Sequence, residues 1–277
     1  MTPVVAVVDP LGRQARFVAS LSAAFQASGL DLQQRTHREL VAEVSIEQPM
    51  AHGPVVDPDR PLLWLSPGDT HRPATADGRF LASETLAAAR SIAILTRAPV
   101  LNRPSAVSLC GSLPACRPLA ARRARCQPDL DAIVRAERFT GKWMPDEDTD
   151  SERVEVFDYG TGRSSYGPAP SSTGPFRRRV AVDRAAIVSV RVVGDRAITS
   201  AEVAPATLAA SLRLASGFQL DMAAVWWLVG RADGARTLAR IDCWAWDAGF
   251  DAGLDEVAGA VAAWMGHRVA RPAGVSR

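Results

Sequence analysis

Runs of apolar residues alternate with helical repeats along the N-terminal part of the chain. Residues 4–8 (VVAVV) form a continuous apolar run with the β-branched character of a buried parallel strand. Residues 15–27 then place large apolar side chains at helical spacing. A second apolar run at residues 62–65 and a second helical repeat at residues 80–94 follow. The pattern predicts an open α/β unit with a parallel sheet.

The middle of the chain is more polar and less regular. Residues 131–137 and 153–159 alternate as short, half-exposed strands would, and an acidic stretch between them is typical of a solvated loop. Residues 160–175 (GTGRSSYGPAPSSTGP) are rich in Gly, Ser and Pro. This composition predicts a mobile loop.

Two further hairpins are predicted near the C-terminus, with a helix between them. Residues 187–203 alternate and are broken at Gly194-Asp195. Residues 207–217 form an Ala/Leu-rich helical segment, and two apolar runs joined at Asp233-Gly234 follow it. Residues 254–264 then predict an amphipathic closing helix.

These changes of pattern divide the chain into four predicted segments. Residues 1–104 form an N-terminal α/β domain, and residues 105–126 connect it to the next part. Residues 127–180 form a small middle subdomain, and residues 181–277 form a C-terminal subdomain on an antiparallel sheet. The predicted fold class is α/β, in the α+β arrangement.

The composition restricts the class of function more than it restricts the fold class. A net charge of +2 is too small to indicate a nucleic-acid-binding surface. The N-terminus lacks the basic region of a signal peptide, and no apolar run reaches the roughly 18 residues that a membrane helix needs. We therefore expect a cytoplasmic protein with reduced cysteines. The spacing of Cys110, Cys116 and Cys126 does not match that of zinc ligands.

Several short motifs resemble the ATP-grasp superfamily of the glutathione-synthetase and ribosomal-protein-modifying type. Residues 98–104 (APVLNRP) are similar to its Pro-Val-hydrophobic-Asn-x-Pro junction, and residues 188–201 to its Gly-turned hairpin. Residues 217–226 are similar to its Gly-x-aromatic-x-Gly-Val-Asp segment. The resemblance implies the family's three-part architecture: an N-terminal parallel unit, a small middle domain and an antiparallel C-terminal domain.

The resemblance also implies an ATP-dependent carboxylate–amine ligase that uses magnesium and forms an acyl phosphate. Its nucleotide contacts would be Arg135, Lys142, Arg179 and Arg191, its magnesium ligands Asp242 and Asp247, and its catalytic residues Asp242 and Arg135. Residues 160–175 would be the lid over the phosphates, with a linker and a surface hairpin as the alternative. Residues 175–180 would be the hinge that holds adenine, with a solvated edge as the alternative.

The expected substrate pocket combines a loop with aromatic side chains. The polar stretch from Ser66 to Arg79 follows a predicted strand at its carboxyl end, where ligand-binding loops are found, although an ordinary surface loop is the alternative. Asp69, His71 and Arg72 would be its binding residues. Trp226 and Trp244 would form an aromatic wall, with Asp242, Trp244 and Trp246 on one strand face; core or interface packing is the alternative for these tryptophans.

Three residue choices argue against the usual chemistry. Ser189 stands where the family usually has an arginine. Trp226 stands where the family has an aspartate, and Trp244 where it has the asparagine that binds magnesium. A tryptophan cannot coordinate magnesium.

Three hypotheses therefore remain open at this point. The first is an ATP-dependent ligase for a peptide or small metabolite in a biosynthetic pathway, and the second is a catalytically degenerate ATP-grasp protein that binds a peptide, a metabolite or a partner enzyme. The third is an unrelated α/β binding protein. A homodimer is compatible with each of them.

Overall fold

A computed structural model defines the elements of the chain and their packing. It describes residues 3–8, 12, 14–47, 53–66, 75–111, 137–140, 154–158, 163–166, 176–180, 184–230, 236–244 and 253–270. Two compact units are present: unit 1 comprises residues 1–114, 190–224 and 242–277, and unit 2 comprises residues 115–189 and 225–241. Both units are built from segments that are distant in sequence. The predicted division into four segments stays a prediction.

Unit 1 contains a four-stranded parallel sheet, as the apolar pattern predicts. Its strands are β1 (Val4–Val7), β2 (Leu32–Arg35), β5 (Leu62–Trp64) and β6 (Val100–Leu101), in the order β2-β1-β5-β6. All four residues of β1 are buried. Helix α1 (Ala15–Ala27) buries Phe17, Val18, Leu21 and Phe25.

Residues 32–57 contain four elements that the apolar pattern did not predict. Strand β2 leads into helix α2 (His37–Glu43), and a two-stranded antiparallel ribbon of β3 (Ser45–Glu47) and β4 (Val55–Asp57) follows. Thr36 and Glu39 form a capping box: each side chain accepts a hydrogen bond from the other residue's backbone N–H. This reciprocal cap explains how so polar a segment starts a helix.

Helix α3 (Ala76–Leu95) begins earlier than its apolar repeat predicts. The Thr75 hydroxyl accepts a hydrogen bond from the Gly78 N–H at 3.1 Å and caps the first turn. The predicted loop from Ser66 to Arg79 is therefore wrong for residues 76–79, which are helical. Residues 67–74 lie outside the described part of the chain.

Unit 2 contains an antiparallel sheet with the order β7-β10-β8-β9. Its strands are β7 (Glu137–Thr140), β8 (Val154–Asp158), β9 (Arg163–Tyr166) and β10 (Phe176–Val180). Strand β8 confirms the predicted strand at residues 153–159.

Two predictions for unit 2 are wrong. Residues 163–166 do not belong to a mobile loop but pair with β8 in antiparallel register, as the alternative of a surface hairpin expects. Residues 176–180 do not form a hinge but strand β10, which is paired on both sides. The remainder of the predicted lid lies outside the described residues.

A third sheet has the strand order β12-β11-β13-β14. Its strands are β11 (Arg184–Val193), β12 (Arg196–Ile198), β13 (Met222–Gly230) and β14 (Arg236–Asp242). Helix α4 (Pro205–Gly217) lies between β12 and β13 in sequence, and helix α5 (Leu254–Val269) follows β14. The two predicted hairpins and both predicted helices are thereby confirmed.

The core of unit 1 unites residues from both ends of the chain. Phe17, Leu21 and Phe25 of α1 pack with Val257, Val261 and Met265 of α5 in one buried cluster. Val193, Ile198 and Met222 join the same cluster.

The mixed α/β class with one parallel and several antiparallel sheets agrees with the predicted fold class. Within the described ranges, no helix has both the length and the apolar character required to cross a membrane.

Candidate functional site

A cavity of about 740 Å³ opens within unit 1. One wall is the turn between β11 and β12, and a second is the face of helix α5 that presents Trp264, His267 and Arg268. The third combines the segment after β6 with the one before β13; its members are Arg103, Ser105, Gln219 and Asp221. Four separate segments of the chain therefore build it.

Gly194 fits the first wall because it has no side chain. Its φ of +58° is left-handed, and a Cβ there would lie 2.9 Å from Cδ1 of Trp264. Its N–H donates to the Asp221 carbonyl at 2.7 Å. The glycine thus permits close contact between the turn, Trp264 and the loop before β13.

Asp221 places a partly buried carboxylate on the cavity wall. Burial raises its pKa above the usual value of 3.8, and this effect outweighs Arg268, the Asn102 N–H and Arg103, which act in the opposite direction. The Asn102 N–H lies 3.4 Å from its Oδ2. The carboxylate can therefore accept hydrogen bonds from a ligand. Burial of its charge lowers the stability of the fold.

Asn102 holds the Asp221 loop in position. It is fully buried, has a left-handed φ of 56°, and follows β6 directly. Its Oδ1 accepts from the Met222 N–H at 2.8 Å, and its Nδ2 donates to the carbonyls of Met222 and Cys243 at 2.9 and 3.1 Å. One side chain thereby ties β6 to the start of β13 and to the segment after β14.

Arg103 lines the cavity but is engaged with the end of helix α3. Its guanidinium donates to the carbonyls of Ala93, Ile94, Thr96 and Ala98 at 2.8–3.0 Å. Burial is the largest influence on it and lowers its pKa. These four bonds assign Arg103 a structural role.

Two further contacts between side chains line the cavity. The guanidinium carbon of Arg268 lies 4.8 Å from the centroid of the Trp264 ring, one helical turn earlier. Ser105 Oγ donates to the amide oxygen of Gln219 at 3.1 Å. Because an amide cannot accept the proton of a reacting hydroxyl, Ser105 is not activated as a nucleophile.

Asp242 and Trp244 are brought together at the end of β14. Asp242 is the last residue of the strand, and its Oδ1 accepts the Trp244 N–H at 3.0 Å. Because β14 ends at Asp242, Trp244 lies beyond the strand, and the prediction that the two share a strand face is wrong. Trp246 lies outside the described residues.

The other predicted site residues fall into two groups. Arg191 is 6% exposed in β11, Trp226 is half-buried in β13, and the backbone of Arg179 lies in β10. Asp69, His71, Arg72, Arg135, Lys142 and Asp247 lie outside the described residues. Their roles stay predictions. Trp227, next to Trp226, is fully buried and belongs to the core.

The described residues contain no group of three or more His, Cys, Asp or Glu side chains that could hold a metal ion. Cys110 and Cys243 are buried free thiols, and burial raises the pKa of both, that of Cys110 to about 11. Such thiols are protonated near neutral pH and are poor metal ligands. The roles of Asp242 and Asp247 as magnesium ligands stay predictions.

The predicted site residues did not include the cavity's main polar groups. Asn102 and Arg103 were part of the quoted APVLNRP junction, but their role depends on contacts with residues far along the chain. Trp264 and Arg268 have the spacing of one helical turn, which was a usable signal. Asp221 was part of the quoted 217–226 segment, but that resemblance assigned it no role.

Comparison with solved structures identifies the fold. The ATP-grasp ligase PsnB, complexed with a minimal precursor, Mg and ADP, matches with a TM-score of 0.70 at 16% identity, over 97% of this chain and 98% of that one. The macrocyclase MdnC of Microcystis aeruginosa MRC, bound with precursor peptide MdnA, matches with 0.67 at 14% identity, over 96% and 100%.

A Chryseobacterium gregarium RiPP-associated ATP-grasp ligase, in complex with ADP and a leader and core peptide, matches with a TM-score of 0.65 at 11% identity, over 96% and 97%. No family model and no curated protein matches the sequence. The chain thus has the ATP-grasp fold along nearly its whole length, as the sequence motifs predicted.

Proposed function

We propose that this protein is an ATP-dependent carboxylate–amine ligase that modifies a peptide in a cytoplasmic biosynthetic pathway. The observation that supports this most is the likeness, over at least 96% of the chain, to three ATP-grasp enzymes that were solved with precursor or leader peptides. Two of the three also hold ADP.

The reaction would proceed in two balanced steps. A substrate carboxylate attacks the terminal phosphorus of ATP, giving an acyl phosphate and ADP. An amine then attacks the acyl carbon, phosphate leaves with the electron pair of the broken C–O bond, and the nitrogen releases one proton to the solvent. Both steps need positive charge around the phosphates.

Among the described residues, we assign magnesium binding to Asp242. Magnesium prefers carboxylate oxygens, and one protein carboxylate together with substrate phosphates is sufficient to hold it. We propose Asp247 as a second ligand, and Arg135, Lys142, Arg179 and Arg191 as the phosphate-binding cations. Asp69, His71, Arg72, Trp226 and Trp244 would complete the substrate pocket. When bound, magnesium would neutralise phosphate charge.

The unit 1 cavity is suited to hold part of the peptide. It combines an aromatic wall at Trp264 with groups of both charges, including Asp221 and Arg268. A peptide offers amide donors and acceptors together with apolar side chains, and this mixed lining complements both.

Calorimetric titration with ATP and magnesium tests the proposal. We expect heat of binding and a thermal upshift with millimolar ATP in the presence of magnesium. Asp242→Asn should retain the fold but lose the magnesium dependence, whereas Asp195→Asn, an exposed residue on the β11–β12 turn, should behave as wild type. No heat and no thermal shift for the wild type would refute the ligase.

The second candidate is a degenerate ATP-grasp protein that binds a peptide, a metabolite or a partner enzyme without turnover. Trp244 favours it, because its indole stands where the family has a metal-binding asparagine. The two candidates differ in one measurement: the degenerate protein would release no ADP in the presence of ATP, magnesium and peptides that contain free carboxylates and amines.

A further inference from the structure

Two residues far apart in sequence are joined through one peptide group just beyond strand β14. The carbonyl of Cys243 accepts a hydrogen bond from Nδ2 of Asn102 at 3.1 Å. The N–H of the next residue, Trp244, donates to Oδ1 of Asp242 at 3.0 Å. This carbonyl and this N–H belong to the same planar peptide group. A bond that fixes the carbonyl therefore also fixes the direction of the N–H that Asp242 accepts.

The side chain of Asn102 is a rigid anchor for this peptide group. It is fully buried. Its Oδ1 accepts the Met222 N–H at 2.8 Å, and its Nδ2 donates to the Met222 carbonyl at 2.9 Å as well as to Cys243. Because Oδ1 and both Nδ2 hydrogens are engaged, the amide cannot rotate without breaking several hydrogen bonds.

The residue type at position 102 suits this role. A left-handed φ of 56° is adopted readily by glycine, asparagine and aspartate. Of these three, asparagine alone can donate to two carbonyls and also accept from an N–H. Asn102 is the only asparagine among the 277 residues. The bond to Cys243 therefore depends on a side chain that the other two residue types cannot replace.

The anchor acts at the point where strand pairing stops. Strand β14 ends at Asp242, so the ladder no longer fixes the backbone at Cys243 and Trp244. Cys243 is 4% exposed, whereas Asp242 and Trp244 are half-buried. The bond from Asn102 thus holds the first buried residue after the strand, and the Asp242 carboxylate is bonded to the opposite edge of the same peptide group.

We propose that Asn102 is a positioning residue that orients the Asp242 carboxylate through the peptide group between Cys243 and Trp244. This hydrogen-bonded relay is a property of the fold alone. Its role toward a metal rests on the proposed function, in which Asp242 binds magnesium. Residues that hold a metal ligand in one orientation raise the affinity of the site, and their loss lowers it about 10–100-fold. Asn102 acts on magnesium in this way without touching it.

Nuclear magnetic resonance of the full chain without metal tests the relay from the Asp242 end. In a chain labelled with ¹⁵N-asparagine, the single asparagine gives one side-chain amide signal. Asp242→Ala removes the acceptor of the Trp244 N–H, and the signal of Asn102 should move because the peptide group is released on one edge. Leu40→Ala, at a buried position of helix α2, is the control for lost packing and should leave the signal in place.

Asn102→Gly tests the relay from the other end. Glycine adopts the left-handed φ without strain and lacks the amide. With ¹⁵N-tryptophan, the backbone signal of Trp244 is the one that is missing from Trp244→Phe. It should move upfield in Asn102→Gly, in the direction that Asp242→Ala also gives. An Asn102 signal that does not respond to Asp242→Ala, or a Trp244 signal that Leu40→Ala moves as far as Asn102→Gly does, would overturn the relay.

Binding of Mn²⁺ with ATP, followed by the electron paramagnetic resonance of Mn²⁺, tests the role toward the metal. The dissociation constant should rise about tenfold or more in Asn102→Gly and stay at the wild-type value in Leu40→Ala. Loss of binding in Asp242→Ala together with wild-type affinity in Asn102→Gly would overturn the positioning role. Equal affinities of wild type and Asp242→Ala would instead refute the magnesium assignment of the proposed function, and the two labelled-amide experiments would still decide the relay.

Discussion

Asn102 joins three segments of unit 1 through one buried side chain. Replacing it with alanine would leave the Met222 N–H and the carbonyls of Met222 and Cys243 without partners. Each unpaired buried group costs about 1–3 kcal/mol, so we expect Asn102→Ala to lower the free energy of unfolding by about 3 kcal/mol or more. Denaturant unfolding would measure this loss.

The comparison with Asn102→Gly separates the two contributions at this residue. Glycine also lacks the amide but adopts the φ of 56° without strain. It should therefore be more stable than the alanine variant by about 1 kcal/mol. Equal free energies of unfolding for the two variants would show that the left-handed backbone conformation of residue 102 does not affect stability.

Asp221 should make stability depend on pH in the direction opposite to most carboxylates. Because its folded pKa is raised, the folded protein binds a proton more readily than the unfolded chain. Its contribution becomes less favourable as pH rises from the ordinary pKa of 3.8 through the raised folded value. Asp221→Asn should therefore be more stable than wild type near neutral pH, and the difference should vanish in acid.

Denaturant unfolding at several pH values measures this effect. The asparagine oxygen can still accept the Asn102 N–H, so the geometry of the loop is retained. Asp195→Asn, which removes an exposed carboxylate from the same cavity, is the control. A less stable Asp221→Asn variant at neutral pH would show that attraction from Arg268 and Arg103 outweighs the cost of burial.

At the scale of elements, one side chain completes the end of helix α3. The guanidinium of Arg103 satisfies four carbonyls at and beyond the last turn. Arg103→Met retains the aliphatic stem but leaves these acceptors without the donor, which should cost about 2–3 kcal/mol. Arg103→Lys should recover only part of this loss, because an ammonium group lacks the planar fork.

Thermal and denaturant unfolding measure the loss of this cap. Arg38→Met, on the exposed face of helix α2, is the matched control and should change stability little. Full recovery by lysine would show that positive charge near the helix end, and not the fork of hydrogen bonds, stabilises α3.

For the whole molecule, the discontinuous core predicts that the N-terminal part cannot fold alone. Helix α5 covers the side of α1 that carries Phe17, Leu21 and Phe25. A chain ending at residue 252 lacks α5, and the isolated 1–104 segment lacks it too. Both should expose these side chains, bind a hydrophobic dye and lose cooperative unfolding.

A chain ending at Ala270 retains all of α5 and is the control. It should unfold cooperatively, as the full chain does. Cooperative unfolding of the isolated 1–104 segment would instead establish it as an independent domain, as the sequence pattern predicted.

Sequence patterns were sufficient where the decisive contacts are local. The buried runs of β1 and β5 and the amphipathic repeats of α1, α4 and α5 appear as predicted, because periodicity determines which face of an element is buried. Helix α2 was missed although its signal was present, since Thr36 and Glu39 have the spacing of a capping box. Strand β9 agrees with the surface hairpin that was the alternative for residues 160–175, whereas β10 was missed because short polar strands depend on their neighbours for pairing.

The sequence by itself predicted the ATP-grasp fold, which the solved structures confirm, and it led to the predictions for Trp244 and Asp242, which stay predictions. The tertiary structure alone decided where Asn102, Arg103, Asp221 and Trp264 meet, and that β14 ends at Asp242. The physical reason is the sequence separation of these contacts: Asn102 bonds residues 120 and 141 positions away. No local pattern encodes such pairs, and only packing brings them together.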